Sequence, residues 1–382
     1  MNAALLGALV SVAAGAAACG AQAQEVTELV RDENGRRTVV EQRWSHVGLL
    51  RARDLTPFGL LRLDMLPAHT ADAEVGVWTY ELQLAYQSTY IMSRNVRGYL
   101  ASRGDGRQAI TERDANAILD LPGDAYLFDG EIGLVDIIVQ RRISDYWSIY
   151  LSIPYLHYGE GVFDQLIEDF HDTFGFSQQG RTLVPRNRFH IIYDVGGVQF
   201  AQLGRSVRGG WGDPVIGVRY SLPQPHFGWD VVAELAAKIA VDGERFLLST
   251  GEHDIGAQLT LQRRLGAEGR HAIYLAGSAV YYAGGPEIPG DETEIIPTLI
   301  AGYSYGLTPR TSLIVQGYAS PSVVQHSSLD ELTDDKFQVS LGVQTRTQNW
   351  LWSFAVTENV SNLSNTPDIG VQLGAAYMPK AK

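Results

Sequence analysis

Apolar and polar residues alternate with a period of two along most of this chain, and this pattern constrains the fold more than any other feature. From Trp78 the even positions are apolar or aromatic, whereas the odd positions carry threonine, glutamate, glutamine and alanine. The same pattern follows Ile255 and Phe337. Successive side chains of a strand point to opposite faces, whereas a helix repeats every 3.6 residues. The sequence therefore predicts strands with one apolar and one polar face.

About twelve segments show this alternation, and single-chain barrels of the bacterial outer membrane have an even number of strands. The connections alternate between short turns and long loops, which in such barrels are periplasmic and extracellular respectively. We therefore expect an all-β fold, a transmembrane antiparallel up-and-down β-barrel. The predicted strands are residues 76–91, 128–143, 146–158, 213–222, 227–241, 254–265, 271–283, 295–307, 311–320, 335–347, 350–358 and 368–378. The predicted long loops are residues 92–127, 159–212, 242–253, 284–294, 321–334 and 359–367.

A soluble β-sandwich or lipocalin-like barrel is the alternative, and it would bury the apolar faces in a core. The polar face of one predicted strand carries Asp230, Glu234 and Lys238, and burying such charges in a dry interior is costly. Aromatic residues also lie near both ends of the strands, as in the two interfacial girdles of membrane barrels. Those near short turns are Trp147, Trp229, Trp350 and Trp352, and those near long loops are Tyr90, Tyr158, Tyr281 and Tyr282. Both features favour a membrane barrel.

The N-terminus indicates export. Residues 1–23 are apolar and small and end in Ala21-Gln22-Ala23, a pattern that signal peptidase cleaves. Cys19 is the only cysteine and lies in this signal peptide, so the mature chain has no thiolate for a disulfide or a metal site. The net charge of −13 argues against nucleic-acid binding. We expect the protein in the bacterial outer membrane, with its lipids and lipopolysaccharide as partners.

Residues 24–73 lie between the signal peptide and the predicted barrel of residues 74–382. They combine a charged stretch, Glu25 to Arg43, with an apolar stretch, Pro57 to Pro67. Two interpretations remain open. The segment either folds back into the lumen as a plug, or forms a periplasmic tail with one short helix.

Three motifs resemble a known family. They are Ile167-Glu168-Asp169-Phe170-His171-Asp172-Thr173-Phe174-Gly175, Pro185-Arg186-Asn187-Arg188-Phe189 and Pro367-Asp368. From about Pro57 to Tyr377 the chain resembles an uncharacterised bacterial family, domain of unknown function family 3187. The resemblance implies an outer-membrane barrel of unassigned function and supplies no catalytic residues. Such barrels commonly end on an aromatic residue that the barrel-assembly machinery reads, whereas this chain continues for five residues beyond Tyr377.

Several charged residues on the polar faces are candidates to line a pore. Arginines recur near the short turns of four strands, and a ring of them would attract anions to the periplasmic mouth. The alternative is a network with strand carboxylates that fills a narrow lumen, because side chains largely fill small barrels. The candidate residues are Arg142, Arg219, Asp230, Glu234, Lys238, Arg264 and Arg346, and Asp136 belongs to the alternative network.

The long loop after the third strand predicts a short helix with one apolar face, as a lid in the barrel mouth or on the outer-leaflet surface. Its acidic face, with His171, is interpreted as solvated. An extracellular hairpin is expected around Gly196-Gly197, from Phe189 to Asp194 and from Val198 to Leu203. The apolar positions of the helix are Val162, Phe163, Leu166, Ile167, Phe170 and Phe174, and the acidic positions are Asp164, Glu168, Asp169 and Asp172.

Two further features bear on function. His326 and Ser328 have the spacing of a base and nucleophile on an extended chain, which would suit an outer-membrane lipid hydrolase. A polar loop explains the same residues. Acidic loops could bind Ca²⁺ that bridges lipopolysaccharide phosphates, and a solvated surface is again the alternative. The acidic loop residues are Glu287, Asp291, Glu292, Glu294, Asp330, Glu331, Asp334 and Asp335.

The function that the sequence favours is a gated channel or transporter for small molecules, with the N-terminal segment or the loop helix as the gate. This expectation follows from what barrels of this build often do. A lipid hydrolase that uses His326 and Ser328 and a non-conducting structural barrel are the alternatives.

Overall fold

The computed structural model describes residues 27–31, 37–41, 44–57, 59–69, 74–175, 177–241, 243–266, 268–283, 295–324, 326–361 and 369–379. Within them, the strands are β1 Thr27–Arg31, β2 Arg37–Glu41, β3 Trp78–Met92, β4 Ala125–Arg142, β5 Trp147–Gly159, β6 His190–Val195, β7 Val198–Leu203, β8 Gly210–Trp211, β9 Val215–Ser221, β10 Asp230–Lys238, β11 Asp254–Leu265, β12 His271–Tyr281, β13 Ile295–Thr308, β14 Thr311–Ser320, β15 Lys336–Arg346, β16 Trp350–Ser361 and β17 Ile369–Tyr377. The helices are α1 Arg94–Ser102, α2 Glu112–Leu119, α3 Asp164–Phe174 and α4 Asp330–Thr333, with a 3-10 turn at Arg181–Leu183.

Twelve of these strands form a closed antiparallel barrel. β3, β4, β5 and β9 to β17 each pair with their neighbours in sequence, and β17 pairs with β3 to close the ring. The closing register runs from Ile369 opposite Ser88 to Tyr377 opposite Tyr80. The predicted fold class and strand number are therefore confirmed. In the part of the chain that is described, no helix is long and apolar enough to span a membrane.

The two faces of the barrel wall differ as the alternation predicts. Outward-facing Tyr80, Leu259 and Leu341 are 52%, 47% and 52% exposed, whereas inward-facing Gln258 and Gln344 are buried. A wall that is apolar outside and polar inside suits lipid around the barrel, and a soluble sandwich would have the opposite arrangement. The soluble alternative is therefore excluded.

Aromatic residues form a girdle at the end of the barrel that carries the short turns. Trp350 stacks on Trp352 and contacts Tyr377, and Trp147 packs against Tyr220. At the other end the expectation was partly wrong. Tyr158 and Tyr282 are buried on the inward face, because their positions in the alternation match those of the lumen side chains.

A compact structure covers the outside of β3 and β4 at the long-loop end. We call it the outer cap, and it comprises α1, α2, α3, the 3-10 turn, and the hairpin β6–β7. The hairpin was predicted, and it extends the upper edge of β4, with Ala125 opposite Asp194. Helices α1 and α2 were missed, since residues 92–127 were expected to be loop. A capping box of Thr111 and Asp114 begins α2, and this is the signal that sequence reasoning overlooked. The apolar residues buried between the outer cap and the upper parts of β3 and β4 include Tyr90, Met92, Val96, Leu100, Ile118, Leu127 and Ile192.

We expect a charge on the outer wall to destabilise the barrel strongly. Leu259→Arg places a guanidinium near the middle of the lipid-facing side of β11, and we expect it to lower the free energy of unfolding in bilayers by about 2–4 kcal/mol. Denaturant titration in phospholipid vesicles measures this change. Leu259→Ala is the control, because it removes apolar area without adding charge. Equal costs for the two variants would contradict lipid contact at this face.

Candidate functional site

The barrel lumen is occupied by the chain that precedes the first barrel strand. We call residues 44–57 and 59–69 the lumen segment. It enters at the short-turn end, where the Ser45 amide donates to the Pro309 carbonyl over 3.0 Å. It reaches the long-loop end at Asp54, which binds Lys336 at the start of β15. It then returns past Leu63 to His69, and its two ends lie at the same end of the barrel.

Inward-facing glutamines hold the backbone of the lumen segment. Gln316 accepts a hydrogen bond from the Leu50 amide over 2.9 Å and donates to the Leu50 carbonyl over 3.1 Å. Gln372 makes the same pair of bonds with Arg53. A carboxamide offers one acceptor and two donors, so it can satisfy an extended backbone as a neighbouring strand would. Gln87, Gln258, Gln262 and Gln344 also donate to carbonyl oxygens of the segment.

A buried ionic cluster centred on Asp54 fixes the far end of the segment. The Asp54 carboxylate accepts hydrogen bonds from Arg62 Nη2 over 2.8 Å and from Lys336 Nζ over 2.7 Å. The Thr56 hydroxyl donates to the same carboxylate over 2.5 Å, and Gln338 donates over 3.3 Å. The side chains of the three ions are at most 3% exposed. Removing one buried partner leaves the others uncompensated, so Asp54 controls whether this cluster holds.

Two more arginines of the lumen segment pair with carboxylates of the wall. Arg51 binds Glu81 on β3 over 2.5 Å, and Arg53 binds Asp136 on β4. Sequence reasoning missed both pairs, because it assigned Asp136 to a network among strand residues. The positions of Arg51 and Arg53 before the first strand gave no periodic signal that they enter the lumen.

The predicted pore-lining residues lie on the inward side of the wall, but the structure does not bring the four arginines into one exposed ring. Arg219 is buried, where its Nε donates to Glu234 Oε2 over 2.5 Å and its guanidinium lies 4.3 Å from the Tyr150 ring centroid. Arg142 donates to turn carbonyl oxygens, one of them that of Asp145. Arg264 is exposed, and Arg346, like Asp230, is half-buried.

Lys238 is the last residue of β10 and lies at the long-loop end of the barrel. It lies 2.9 Å from Asp254 Oδ2 and donates to the Leu61 carbonyl of the lumen segment over 2.9 Å. A small space of about 60 Å³ lies nearby between the segment and the wall. It has room for a few water molecules and not for a solute. Its lining includes Leu55, Leu61, Leu134, Leu156, Leu248 and Arg53.

One expectation about helix α3, that its acidic face is solvated, was wrong for two of its acidic residues. Its acidic positions were interpreted as solvated, yet Asp164 and Glu168 are buried in ion pairs. Asp164 binds Arg181 over 2.5 Å, and Glu168 binds both Arg107 and Arg186. His171 is also buried, whereas Asp169 and Asp172 are exposed. The physical reason is that the arginines of the outer cap compensate the buried carboxylates.

The pKa of Glu168 shows the strength of this pairing. Burial by itself would raise the pKa, but hydrogen bonds from Arg186 and Arg107 hold it below its usual range. The carboxylate therefore stays charged in the folded cap. Its stabilising effect is present above the unfolded-state pKa and is lost as the pH falls through the lower folded-state pKa.

The serines beside His326 connect two long loops. Ser328 Oγ accepts a hydrogen bond from the Asp124 amide over 2.8 Å, and Ser327 Oγ donates to Asp124 Oδ2 over 2.5 Å. The Ser328 amide donates to the same carboxylate oxygen. These contacts describe a loop-to-loop connection, and they place the Ser328 hydroxyl against the backbone of another loop.

The acidic loops fall into two groups. Glu287, Asp291, Glu292 and Glu294 lie outside the described residues. Glu331 is buried beside α1, where it accepts a hydrogen bond from the Arg94 amide over 3.2 Å. Among the residues that the structure describes, no group of three His, Cys, Asp or Glu side chains is arranged to hold a metal ion.

Together the closed barrel, the lipid-facing wall and the short turns define an integral protein of the bacterial outer membrane whose lumen is occupied by its own N-terminal segment. The chain belongs to the family described as "Protein of unknown function (DUF3187)", whose model matches residues 61–378. No curated protein matches the chain.

Solved structures of outer-membrane proteins resemble it in fold. The COG4313 outer membrane channel from Pseudomonas putida F1 has a TM-score of 0.47 and 10% identity, with 80% of this chain and 96% of that chain covered. The toluene transporter TodX from P. putida has a TM-score of 0.40 and 9% identity, covering 81% and 92%. The NanC porin has a TM-score of 0.38 and 8% identity, covering 64% and 93%.

The lumen segment should loosen when the Asp54 cluster is broken. We expect Asp54→Ala to leave Arg62 and Lys336 buried without their carboxylate, at a cost of about 3 kcal/mol. Hydrogen exchange of the Leu50, Leu55 and Leu63 amides should then accelerate by about 100-fold. Asp64→Ala is the matched control, because Asp64 is 16% exposed and lies 3.6 Å from its partner Arg53. Equal exchange in the two variants would show that the cluster does not hold the segment.

Proposed function

We propose that the protein is a channel for small molecules across the outer membrane, and that the lumen segment closes it at rest. The observation that carries this proposal is how the segment is held. Residues 44–57 and 59–69 belong to no strand. Apart from the bond between the Ser45 amide and the Pro309 carbonyl of a turn, their hydrogen bonds to the barrel that the structure describes run through side chains such as Gln316, Gln372 and Lys336. The segment can therefore leave without breaking any backbone ladder of the barrel.

The path of the segment also supports movement. Both of its described ends lie at the short-turn end, where Ser45 contacts Pro309 and where a Cβ added to nearby Gly48 would lie 3.2 Å from the Cα of His69. A loop that enters and leaves by one opening can withdraw towards the periplasm without passing its termini through the barrel. To withdraw, the segment would first have to break the hydrogen bonds at the long-loop end that involve Asp54, Leu63 and Lys238.

The wall that would be uncovered is suited to water. Its inward side chains include Glu81, Gln258 and Gln344, with Ser304 and Thr260 between them. A lumen lined by carboxamides, hydroxyls and charges would hydrate when the segment moves. With twelve strands the passage would be narrow, which favours small solutes over large ones.

Removing the segment should open the channel. In planar bilayers we expect the native protein to show rare, brief openings, whereas a variant that lacks residues 44–69 should conduct most of the time. Single-channel recording measures this difference, after heat-dependent migration in gels has shown that the barrel is folded. A folded deletion variant that does not conduct would contradict the proposal and would favour a non-conducting structural barrel.

A disulfide between the segment and the wall should close the channel reversibly. A Cβ added to Gly302 would lie 2.2 Å from Cδ2 of Leu49, so we expect cysteines at these two positions to bring their sulfur atoms within reach of a disulfide bond. Leu49→Cys with Gly302→Cys should abolish the openings when oxidised, and reduction should restore them. The two single variants, treated identically, are the controls. Openings that persist in the fully oxidised double variant would show that conduction does not require this part of the segment to move.

A further inference from the structure

Helix α3 lies against the outside of the barrel. The Val162 and Phe163 amides, just before the helix, donate to Glu131 Oε1 over 2.7 and 2.8 Å. Glu131 is on the outward side of β4, since inward-facing Asp136 and Ile132 alternate with it. The Phe163 ring also packs edge-on against Tyr86 of β3, with centroids 5.6 Å apart. These contacts attach the start of α3 to the outer wall.

The outward side of β3 shows where the covered zone begins. Trp78, Tyr80, Leu82 and Leu84 are exposed along this side, whereas Ser88 and Tyr90 further up are buried. The outer cap covers Tyr90, whose hydroxyl donates to the Gly180 carbonyl over 3.0 Å. The lipid-facing band of β3 therefore runs up to Tyr86, and the beginning of α3 meets its upper edge.

The height of this contact matches the outer leaflet. At about 3.4 Å per residue Tyr86 follows Trp78 by about 27 Å of strand. A strand tilted by about 40° converts this length into about 20 Å of height above the periplasmic girdle, and the apolar band of such barrels is about 25 Å tall. Phe163 thus stands near the outer boundary of the hydrocarbon.

Helix α3 continues from this contact and exposes apolar side chains. Leu166 and Phe170 are four residues apart in the helix, so they share one side, and Val162 just before the helix is exposed as well. Val162, Leu166 and Phe170 are 72%, 59% and 38% exposed, although Ile167 and the ion-paired carboxylates Asp164 and Glu168 are buried against the cap. We call Val162, Leu166 and Phe170 the α3 stripe. The helix thus buries two of its carboxylates, Asp164 and Glu168, against protein and turns Leu166 and Phe170 outward.

We propose that the α3 stripe is immersed in the acyl chains of the outer leaflet and anchors the outer cap to the membrane surface. The stripe continues the lipid-facing band upward from Leu84 through Tyr86 and Phe163, so both surfaces face the same solvent. An interfacial helix buries its apolar side about 5–10 Å into the boundary of headgroups and chains. Exposed Asp169 and Asp172 flank the stripe and lie on the side for water and headgroups.

Site-specific lipid quenching tests the anchor. Because Cys19 is the only cysteine, Cys19→Ala gives a background in which single cysteines can carry a fluorescent label. The labelled positions are Leu166→Cys and Phe170→Cys on the stripe, Asp169→Cys on the neighbouring polar side, and Leu259→Cys on the lipid-facing wall. The folded full-length protein is placed in phosphatidylcholine vesicles that contain acyl-chain nitroxide lipids.

We expect quenching at Leu166 and Phe170 to approach that at Leu259 and to exceed that at Asp169 by about threefold. Quenching at Leu166 and Phe170 no greater than at Asp169, with Leu259 quenched as a positive control, overturns the proposal. A label at Leu166 whose emission reports an apolar environment but which lipid does not quench also overturns it, since protein or a solute would then cover the stripe. The proposal is independent of conduction through the barrel.

Discussion

Lipid offers no partners for backbone hydrogen bonds, and the architecture of this protein follows from that constraint. The strands can pair fully only by closing on themselves, which β17 and β3 do through the register that ends with Tyr377 opposite Tyr80. Closure with apolar side chains outward forces the alternate positions inward, and many of these are polar. A ring of twelve strands leaves an interior that these side chains do not fill by themselves. The lumen segment occupies this interior, and the inward glutamines supply its backbone with the partners that water or a strand would otherwise provide.

The charges inside the barrel divide between wall and segment in a consistent way. Arg51 and Arg53 meet Glu81 and Asp136 of the wall, and Asp54 in turn meets Lys336. The wall and the segment therefore carry each other's counter-ions. If the segment leaves the lumen, these charges lose their partners on both the wall and the segment. Arg219 differs, because its partner Glu234 belongs to the wall and stays with it. An uncovered lumen would present Glu81 and Asp136 on the side of β3 and β4. Arg219 would remain paired with Glu234, so it would not contribute its charge to the ring of arginines that the sequence suggested for attracting anions.

The sequence predicted the barrel well and its contents poorly, for one physical reason. Alternation around Trp78, Ile255 and Phe337 reports the lipid on one side of each strand, and that environment is the same along the whole wall. The lumen segment instead lies among carboxamides and ions, so residues 44–69 show no periodic pattern. The sequence therefore left both interpretations of this segment open, a plug in the lumen and a periplasmic tail. Arg51 and Arg53 pair with Glu81 and Asp136, which lie 30 and 83 positions away in the chain. Such pairing depends on the closed wall and has no local signature.

Helix α3 illustrates how an amphipathic helix can be predicted correctly while its acidic positions are placed wrongly. The spacing of Leu166 and Phe170 identifies a helix with an apolar side, and in a water-soluble protein that side would face the core. Here Asp164 and Glu168 face the protein because Arg181, Arg107 and Arg186 pair with them, whereas Leu166 and Phe170 face outward. This inversion is the same one that the barrel wall shows, where polar residues are inside and apolar residues outside. The reversal is confined to α3, because the rest of the outer cap keeps a buried apolar core that includes Val96, Leu100 and Ile118.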